Sequence, residues 1–217
     1  MSEKPNPMFS DQQAIDDILK EMPANEAIEL DLPSKNRFYN LKEPGKPITL
    51  RPMTFADEKS MLSKNTGNLD IINKLLARCL ENVDVGQLLQ IDKLYILMKL
   101  REISYGPEYT VSINCSKCKS ENKVNFQLDT FNVRYADDNL TDPRTVHLPV
   151  LKKDVVVRLP RVTDEKYFAN TEQSLVNLWR FVEKIDKYDS KPVISKVIPQ
   201  LPIKDAHTLL EAIGCND

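Results

Sequence analysis

Two cysteines at metal-ligand spacing are the clearest chemical motif in this sequence. Cys115 and Cys118 enclose two residues, and alternating apolar and polar residues stand on both sides of them, as in a β-hairpin. Two thiolates that project from such a turn form one half of a zinc ribbon, because this spacing brings both sulfurs to the same metal ion. The sequence therefore predicts a zinc-ribbon-like knuckle over residues 109–128, with Cys115 and Cys118 as candidate metal ligands.

This candidate metal site is incomplete. Structural zinc requires four ligands, and no second Cys-x-x-Cys follows the first. Apart from carboxylates, the remaining candidates are Cys215, His147 and His207, and none of them lies at ribbon spacing. Three interpretations stay open: a knuckle that binds no metal, a zinc site completed by Cys215 or by a partner chain, and a redox pair. A redox pair is expected at a helix N-terminus near a βαβ unit, whereas this pair lies between predicted strands.

Motifs for catalysis are missing from the sequence. It contains no glycine-rich phosphate loop, no Gly-x-Ser-x-Gly and no His-Glu-x-x-His. The paired carboxylates Asp57-Glu58 and Asp164-Glu165 each stand where the start of a helix favours acidic residues. Asp92 falls within an apolar helical stripe, where we expect a buried polar contact or an interface. We therefore predict that the protein is not an enzyme and that it has no cofactor, with zinc at the incomplete knuckle as the alternative left open.

A long apolar helix must position the knuckle. Within residues 84–105, one stripe at about 100° per residue contains Val85, Leu89, Ile96, Leu100 and Ile103. Further apolar residues fall on the opposite side, so we expect this helix to be covered by neighbours on nearly all sides. Gly106 and Pro107 are expected to end it.

The whole pattern predicts an α+β fold. Residues 1–46 are expected to form an N-terminal arm with a short amphipathic helix and an extended segment, which is either laid over the core or bound to a partner. Residues 47–217 are expected to form a single α+β domain. Its helical core surrounds 84–105, the cysteine hairpin projects from it, and a second β-hairpin at 146–159 precedes C-terminal helices. One of these helices is expected to run through 168–185 and to bury Trp179.

One stretch of the sequence occurs twice in outline. Residues 48–59 and 155–166 both predict a strand that ends in arginine, a proline-bearing turn and a helix that starts with Asp-Glu. The offset between them is constant at 107 residues. Two alternative explanations stay open. One is a distant duplication, and the other is two independent uses of the same helix-capping chemistry.

Bulk composition limits the classes of function. The chain has 217 residues, 41% apolar and 29% charged, which is typical of a globular protein with a substantial core. A net charge of −2 does not favour nucleic-acid binding. No apolar run approaches the roughly 20 residues of a membrane span, and the polar N-terminus does not look like a signal peptide. We therefore expect a reducing cytosol, no nucleic-acid partner and no membrane span.

Several motifs, taken in order, resemble one known family. They are Leu32-Pro33-Ser34-Lys35 with Phe38-Tyr39, Leu50-Arg51-Pro52-Met53-Thr54 with Asp57-Glu58, the helix end Leu100-Arg101-Glu102-Ile103-Ser104-Tyr105-Gly106, the knuckle Cys115-Ser116-Lys117-Cys118, Leu159-Pro160 with Asp164-Glu165, and Leu201-Pro202-Ile203-Lys204-Asp205. Across residues 30–213, this order resembles the baseplate hub and hub-assembly proteins of T-even-type contractile-tailed bacteriophages.

This resemblance implies a non-enzymatic role in building the central hub of a phage tail baseplate. Some members of that family are structural, and others are assembly factors that are absent from the mature particle. The expected location is therefore the tail baseplate of the virion, or the host cytoplasm during assembly, and the expected partners are other baseplate hub or tail proteins. The alternative is a zinc-ribbon-like adaptor in a nucleoprotein or other multiprotein complex.

Overall fold

The computed structural model describes residues 11–21, 26–62, 68–167 and 175–214. The α-helices are α1 (Asp11–Glu21), α2 (Phe55–Met61), α3 (Asn68–Cys79), α4 (Gln90–Tyr105), α5 (Lys191–Val197) and α6 (Ile203–Ile213). The strands are β1 (Ile28–Glu29), β2 (Thr49–Leu50), β3 (Leu80–Glu81), β4 (Glu108–Asn114), β5 (Glu121–Gln127), β6 (Arg144–Leu148), β7 (Lys153–Val157) and β8 (Val182–Ile185). Short 3₁₀ segments lie at Val85–Gln87, Leu128–Thr130, Val162–Tyr167, Leu178–Phe181 and Ile198–Gln200. This mixture confirms the predicted α+β class.

Two small antiparallel sheets, in the order β1-β2-β3 and β6-β7-β8, each organise one hydrophobic core. We call residues 28–105 the first unit and residues 144–214 the second unit. Fully buried side chains of the first core include Leu32, Leu76, Leu88 and Ile96. Those of the second core include Leu148, Phe181, Ile194 and Leu209. The β4–β5 hairpin stands between the two units in the chain.

The repeated sequence stretch forms the same arginine–aspartate contact in both units, although an α-helix follows it in the first unit and a 3₁₀ segment in the second. Arg51 pairs with Asp57 at 2.7 Å, and Arg158 pairs with Asp164 at 2.7 Å. Each arginine follows the central strand of its sheet, and its backbone N–H donates to the carbonyl of the residue immediately before the third strand. Helix capping explains an acidic residue in the first turn, but it explains neither the arginine six residues earlier nor the common strand order. The structure thus favours duplication over independent capping.

Helix α4 is buried along the predicted stripe, because Ile96 and Leu100 are at most 2% exposed. Two parts of the prediction are wrong. The helix starts at Gln90 rather than at residue 84, since Val85–Gln87 forms a separate 3₁₀ segment. The opposite side is not covered either, because Ile91 and Leu94 are 58% and 56% exposed. Within the described residues, no helix combines the length and the apolar character that crossing a bilayer requires.

The second hairpin is confirmed by β6 and β7, which pair from Arg144↔Val157 to Leu148↔Lys153. The helix predicted through 168–185 is wrong over its last part, because Val182–Ile185 is a strand that pairs with β7. The apolar residues of this stretch recur every three to four positions, which is typical of a helix. They form a strand instead, because the backbone groups at the edge of β7 need hydrogen-bond partners. Trp179 lies in the preceding 3₁₀ segment and packs, partly buried, against the second core.

The N-terminal segment divides into two parts. Leu30 and Leu32 are buried in the first core, so the extended segment is laid over the core of its own chain. Helix α1 confirms the predicted amphipathic helix, but Ile15 and Ile18 on its apolar side are 49% and 63% exposed.

The two units contact each other through the 3₁₀ segment Val162–Tyr167. The Val162 side chain belongs to the first core although it lies in the second unit, and its N–H donates to the Leu88 carbonyl at 2.9 Å. The Lys93 ammonium and the Glu165 carboxylate form an ion pair at 2.6 Å, with side chains only 7% and 15% exposed. The Arg161 guanidinium donates to the Gln87 carbonyl at 2.7 Å. Apolar and charged contacts together thus hold the second unit against the first.

Candidate functional site: the cysteine hairpin and its exposed face

The base of the cysteine hairpin is tied to the end of α4. The Leu128 N–H donates to the Pro107 carbonyl at 2.9 Å, and Leu128 is buried. The Arg101 guanidinium on α4 donates to the carbonyls of Gly106 and Glu108. Gly106 has a φ of 90°, which few residues other than glycine adopt, so the chain turns directly from helix to strand. The hairpin therefore projects from the C-terminal end of α4 in a defined direction.

One face of this hairpin is apolar. Tyr109 lies opposite Phe126 and Val111 lies opposite Val124, and directly paired residues share a face of the sheet. We call Tyr109, Val111, Ile113, Val124 and Phe126 the hairpin face. Alternation of apolar and polar residues predicts strands with one buried face, and this prediction is wrong here. Four of the five side chains are 36–50% exposed, and Val111 is intermediate.

Aromatic rings extend the hairpin face toward the first unit. Phe131 stacks on Phe126 with ring centroids 6.3 Å apart, and Phe131 is itself 45% exposed. The Arg101 guanidinium lies 4.6 Å from the Tyr105 ring centroid and 5.6 Å from the Tyr109 ring centroid, within the range of cation–π attraction. This role of Arg101 was not predicted, although its spacing of four residues from Tyr105 on a helix was a usable signal.

The knuckle at the tip brings the two predicted thiols into one tight turn. The Cys115 N–H donates to the Ser120 carbonyl at 2.9 Å, and the Lys119 N–H donates to the Cys115 carbonyl at 3.0 Å. Cys118 Sγ lies 3.0 Å from Ser120 Oγ. The side chain and backbone of Ser120, followed by the Cys115 thiol, lower the pKa of the Cys118 thiol to about 7. Both metal ligation and thiol reactivity require thiolate, so this lowered pKa does not separate those two interpretations.

Of the predicted metal ligands, the knuckle brings together only Cys115 and Cys118 among the described residues. Across the described residues, no group of three or more Cys, His, Asp and Glu side chains is arranged to hold a metal ion. His147 pairs with Asp154 at 2.8 Å on the second hairpin, and His207 is exposed on α6. Neither histidine therefore joins Cys115 and Cys118, and Cys215 lies outside the described residues. A tetrahedral ion at the knuckle would need further ligands from elsewhere.

Both predicted carboxylate pairs contain a structural aspartate. Asp57 accepts from the Thr54 N–H at 2.9 Å, and the Asp57 N–H donates to Thr54 Oγ1, which completes a capping box. The Arg51 guanidinium keeps the pKa of Asp57 well below its usual range. Burial raises the pKa of Asp164, but the hydrogen bonds from Arg158 and the N–H of Arg161 outweigh burial and lower it.

Asp92 makes the buried polar contact that the sequence predicted. It is fully buried on α4 and accepts from the Ser34 N–H at 3.0 Å and from the Tyr39 hydroxyl. Burial raises the pKa of Asp92 and, together with the Asp92 charge, that of Tyr39. Asp92 therefore anchors the extended N-terminal segment on α4. Asp205 has a matching role that was not predicted: it is also fully buried and accepts from two backbone N–H groups of the β6–β7 turn at 2.8 Å.

One family model, described as that of a T4 bacteriophage base plate protein, matches residues 28–212. The chain belongs to this family. The match includes both units and the hairpin between them, so the features described above lie within the family region. Neither curated proteins nor solved structures offer a significant match. Membership confirms the resemblance to T4-type baseplate proteins. It supports a structural role in the phage tail baseplate, with other baseplate proteins as partners.

Proposed function

We propose that this base plate protein is a component of the baseplate hub, or a factor that assembles the hub, and that it acts through protein–protein contacts without catalysis. The family supports the baseplate role. The hairpin face is the observation that supports action by contact, because four adjacent apolar side chains there are 36–50% exposed. Contiguous exposed apolar surface of this kind is typical of interaction sites.

The occupant that we assign to the hairpin face is another protein of the phage baseplate. The face has an apolar centre with aromatic side chains, and polar residues such as Thr110, Lys123 and Asn125 form the opposite side of the same two strands. An apolar, aromatic centre with a polar surround is the usual composition of a protein interface. A partner from the same assembly would bury this centre when the hub forms.

Two matched substitutions on β5 test the proposal. Val124→Asp places a charge in the hairpin face, whereas Asn125→Asp places the same charge on the opposite side, where the carboxylate still accepts the hydrogen bond from Thr110. When the protein is co-expressed with the other hub proteins of its phage, we expect Val124→Asp to weaken co-purification by about tenfold or more. Asn125→Asp should co-purify like the unmodified protein. Equal recovery of both variants would contradict the role of the hairpin face.

The two forms of the proposal make different predictions for the finished particle. A hub component stays in the mature tail, whereas an assembly factor leaves before the tail is complete. Mass spectrometry of purified mature virions distinguishes them, because peptides of this chain should be present in the first case and missing in the second. Failure to enter any tail subassembly would contradict both forms.

A zinc-ribbon-like adaptor is the second candidate function, and the knuckle supports it. Two free thiols lie in one turn there, and the pKa of Cys118 is lowered. If Cys115 and Cys118 hold zinc, the purified protein should contain zinc in a fixed molar ratio. Cys115→Ser should remove that zinc and Ser116→Ala in the same turn should retain it. A metal-free protein would leave the baseplate role as the proposal.

A further inference from the structure

The knuckle at the tip of the hairpin contains two thiols that share no further ligand with the rest of the described chain. Cys115 and Cys118 are both free, and Cys118 is exposed. Among the described residues, no third Cys, His, Asp or Glu side chain is placed to share a metal ion with them. A tetrahedral zinc ion bound by this pair would therefore keep two coordination positions for ligands from another source.

The turn that holds the two cysteines stabilises thiolate. Lys119, directly after Cys118, has a φ of 58°, in the left-handed region that few residues other than glycine adopt. The Ser120 carbonyl accepts from the Cys115 N–H at 2.9 Å, and the Ser120 hydroxyl lies 3.0 Å from Cys118 Sγ. A hydroxyl at that distance can donate to a thiolate, which is the form of cysteine that binds metal.

The charge of this turn suits a zinc site shared by two chains. Four thiolates around one Zn²⁺ ion leave an excess of negative charge. Residues 115–120 contain Lys117 and Lys119, both exposed, and no acidic residue. Two copies of the turn would therefore bring ammonium groups from both sides to offset the charge of the metal and its thiolates.

The hairpin is long enough for two copies to meet at their tips. Strands β4 and β5 pair from Glu108↔Gln127 to Asn114↔Glu121, which spans about 20 Å. Every residue of β5 is exposed, and so is every residue of β4 apart from Val111. The two units of each copy would thus stay apart while the knuckles touch, and no other pair of surfaces has to be complementary.

We propose that two copies of the chain share one zinc ion at their knuckles, with Cys115 and Cys118 of each copy as its four ligands. Each copy supplies one edge of the tetrahedron, and opposite edges of a tetrahedron are related by a two-fold axis. The contact therefore closes as a symmetric dimer. This shared site rests on the zinc-binding function proposed above, and it adds a second copy as the source of the two missing ligands.

Zinc content and oligomeric state, measured on the same samples, test the shared site. The full-length chain is freed of metal with a chelator, kept reduced, and titrated with zinc chloride. We expect elemental analysis to show saturation at about one zinc ion per two chains. Sedimentation velocity should show a dimer with zinc, and removal of zinc should raise the dissociation constant of that dimer by about a hundredfold or more, because metal–sulfur bonds hold the two chains together.

Three substitutions identify the ligands. Cys118→Ser should abolish zinc uptake and the zinc-dependent dimer, and it should fold like the unmodified chain because residue 118 is exposed. Ser116→Ala is the matched control in the same turn and should keep both properties. Cys215→Ser should also keep both, since the second copy and not Cys215 completes the site.

The outcomes separate the shared site from the zinc-binding function on which it rests. One zinc ion per monomer, a dimer that zinc does not strengthen, or loss of zinc in Cys215→Ser would overturn the shared site and leave zinc binding in place. A chain that takes up no zinc would overturn the shared site and the zinc-binding function together.

Discussion

Glu165→Gln removes one charge from the ion pair that joins the two units. The Glu165 carboxylate accepts from the Lys93 ammonium at 2.6 Å and from the Asn73 amide at 3.3 Å. The glutamine has nearly the same shape and can keep the hydrogen bond from Asn73. The substitution therefore tests the charge of the pair with little change in packing.

The burial of the Lys93–Glu165 pair determines how much stability Glu165→Gln should remove. The Lys93 side chain is 7% exposed, so its ammonium has little water to replace the lost carboxylate. Removing one partner of a buried ion pair typically costs about 3–5 kcal/mol, because an uncompensated charge stays in a medium of low polarity. We expect Glu165→Gln to lower the free energy of unfolding by about this amount. Replacing both residues, as Lys93→Met with Glu165→Leu, should cost much less, because no buried charge is left unpaired.

Urea unfolding followed by circular dichroism measures these differences, and Lys93→Met and Glu165→Leu, each alone and both together, form a double-mutant cycle. Asp138→Asn is the control, because the Lys35–Asp138 pair is on the surface, with an Asp138 side chain 83% exposed. Its urea midpoint should not change. A loss below about 1 kcal/mol for Glu165→Gln, or a double variant less stable than both single variants, would refute the reasoning that buried charge joins the units.

Three further predictions follow from the polar contacts. Tyr39→Phe should lower the free energy of unfolding by about 1–3 kcal/mol in urea titrations, since the buried Asp92 carboxylate and a backbone N–H lose their partner. Asp57→Asn should make the free energy of unfolding fall less steeply as pH decreases below about 4. The folded pKa of Asp57 is depressed, so its contribution is complete above the unfolded value near 4 and is lost as pH falls below it. Ser120→Ala should raise the pKa of the Cys118 thiol from about 7, which thiol alkylation against pH measures.

Local patterns in the sequence predicted those elements whose partners are near in the chain. The acidic helix start at Asp57 and the β6–β7 hairpin depend on contacts within about a dozen residues, and both are present. Position in the fold was less predictable. The residues 182–185 have helical spacing, yet they form a strand because β7 offers them an edge. The exposure of Ile91 could not be predicted either, since periodicity shows which side chains share a face and not which face is covered.

The candidate site divides in the same way. The sequence by itself determined that Cys115 and Cys118 share a turn between two strands and that the motifs are those of a T4-type baseplate protein. Tertiary structure alone decided that the apolar side of the hairpin is exposed and that Glu165 pairs with Lys93, 72 residues away. The physical reason is that side-chain alternation and helix capping are local, whereas burial and long-range ion pairing depend on which elements pack together. Sequence patterns thus specified the hairpin, and packing made one of its faces available to a partner.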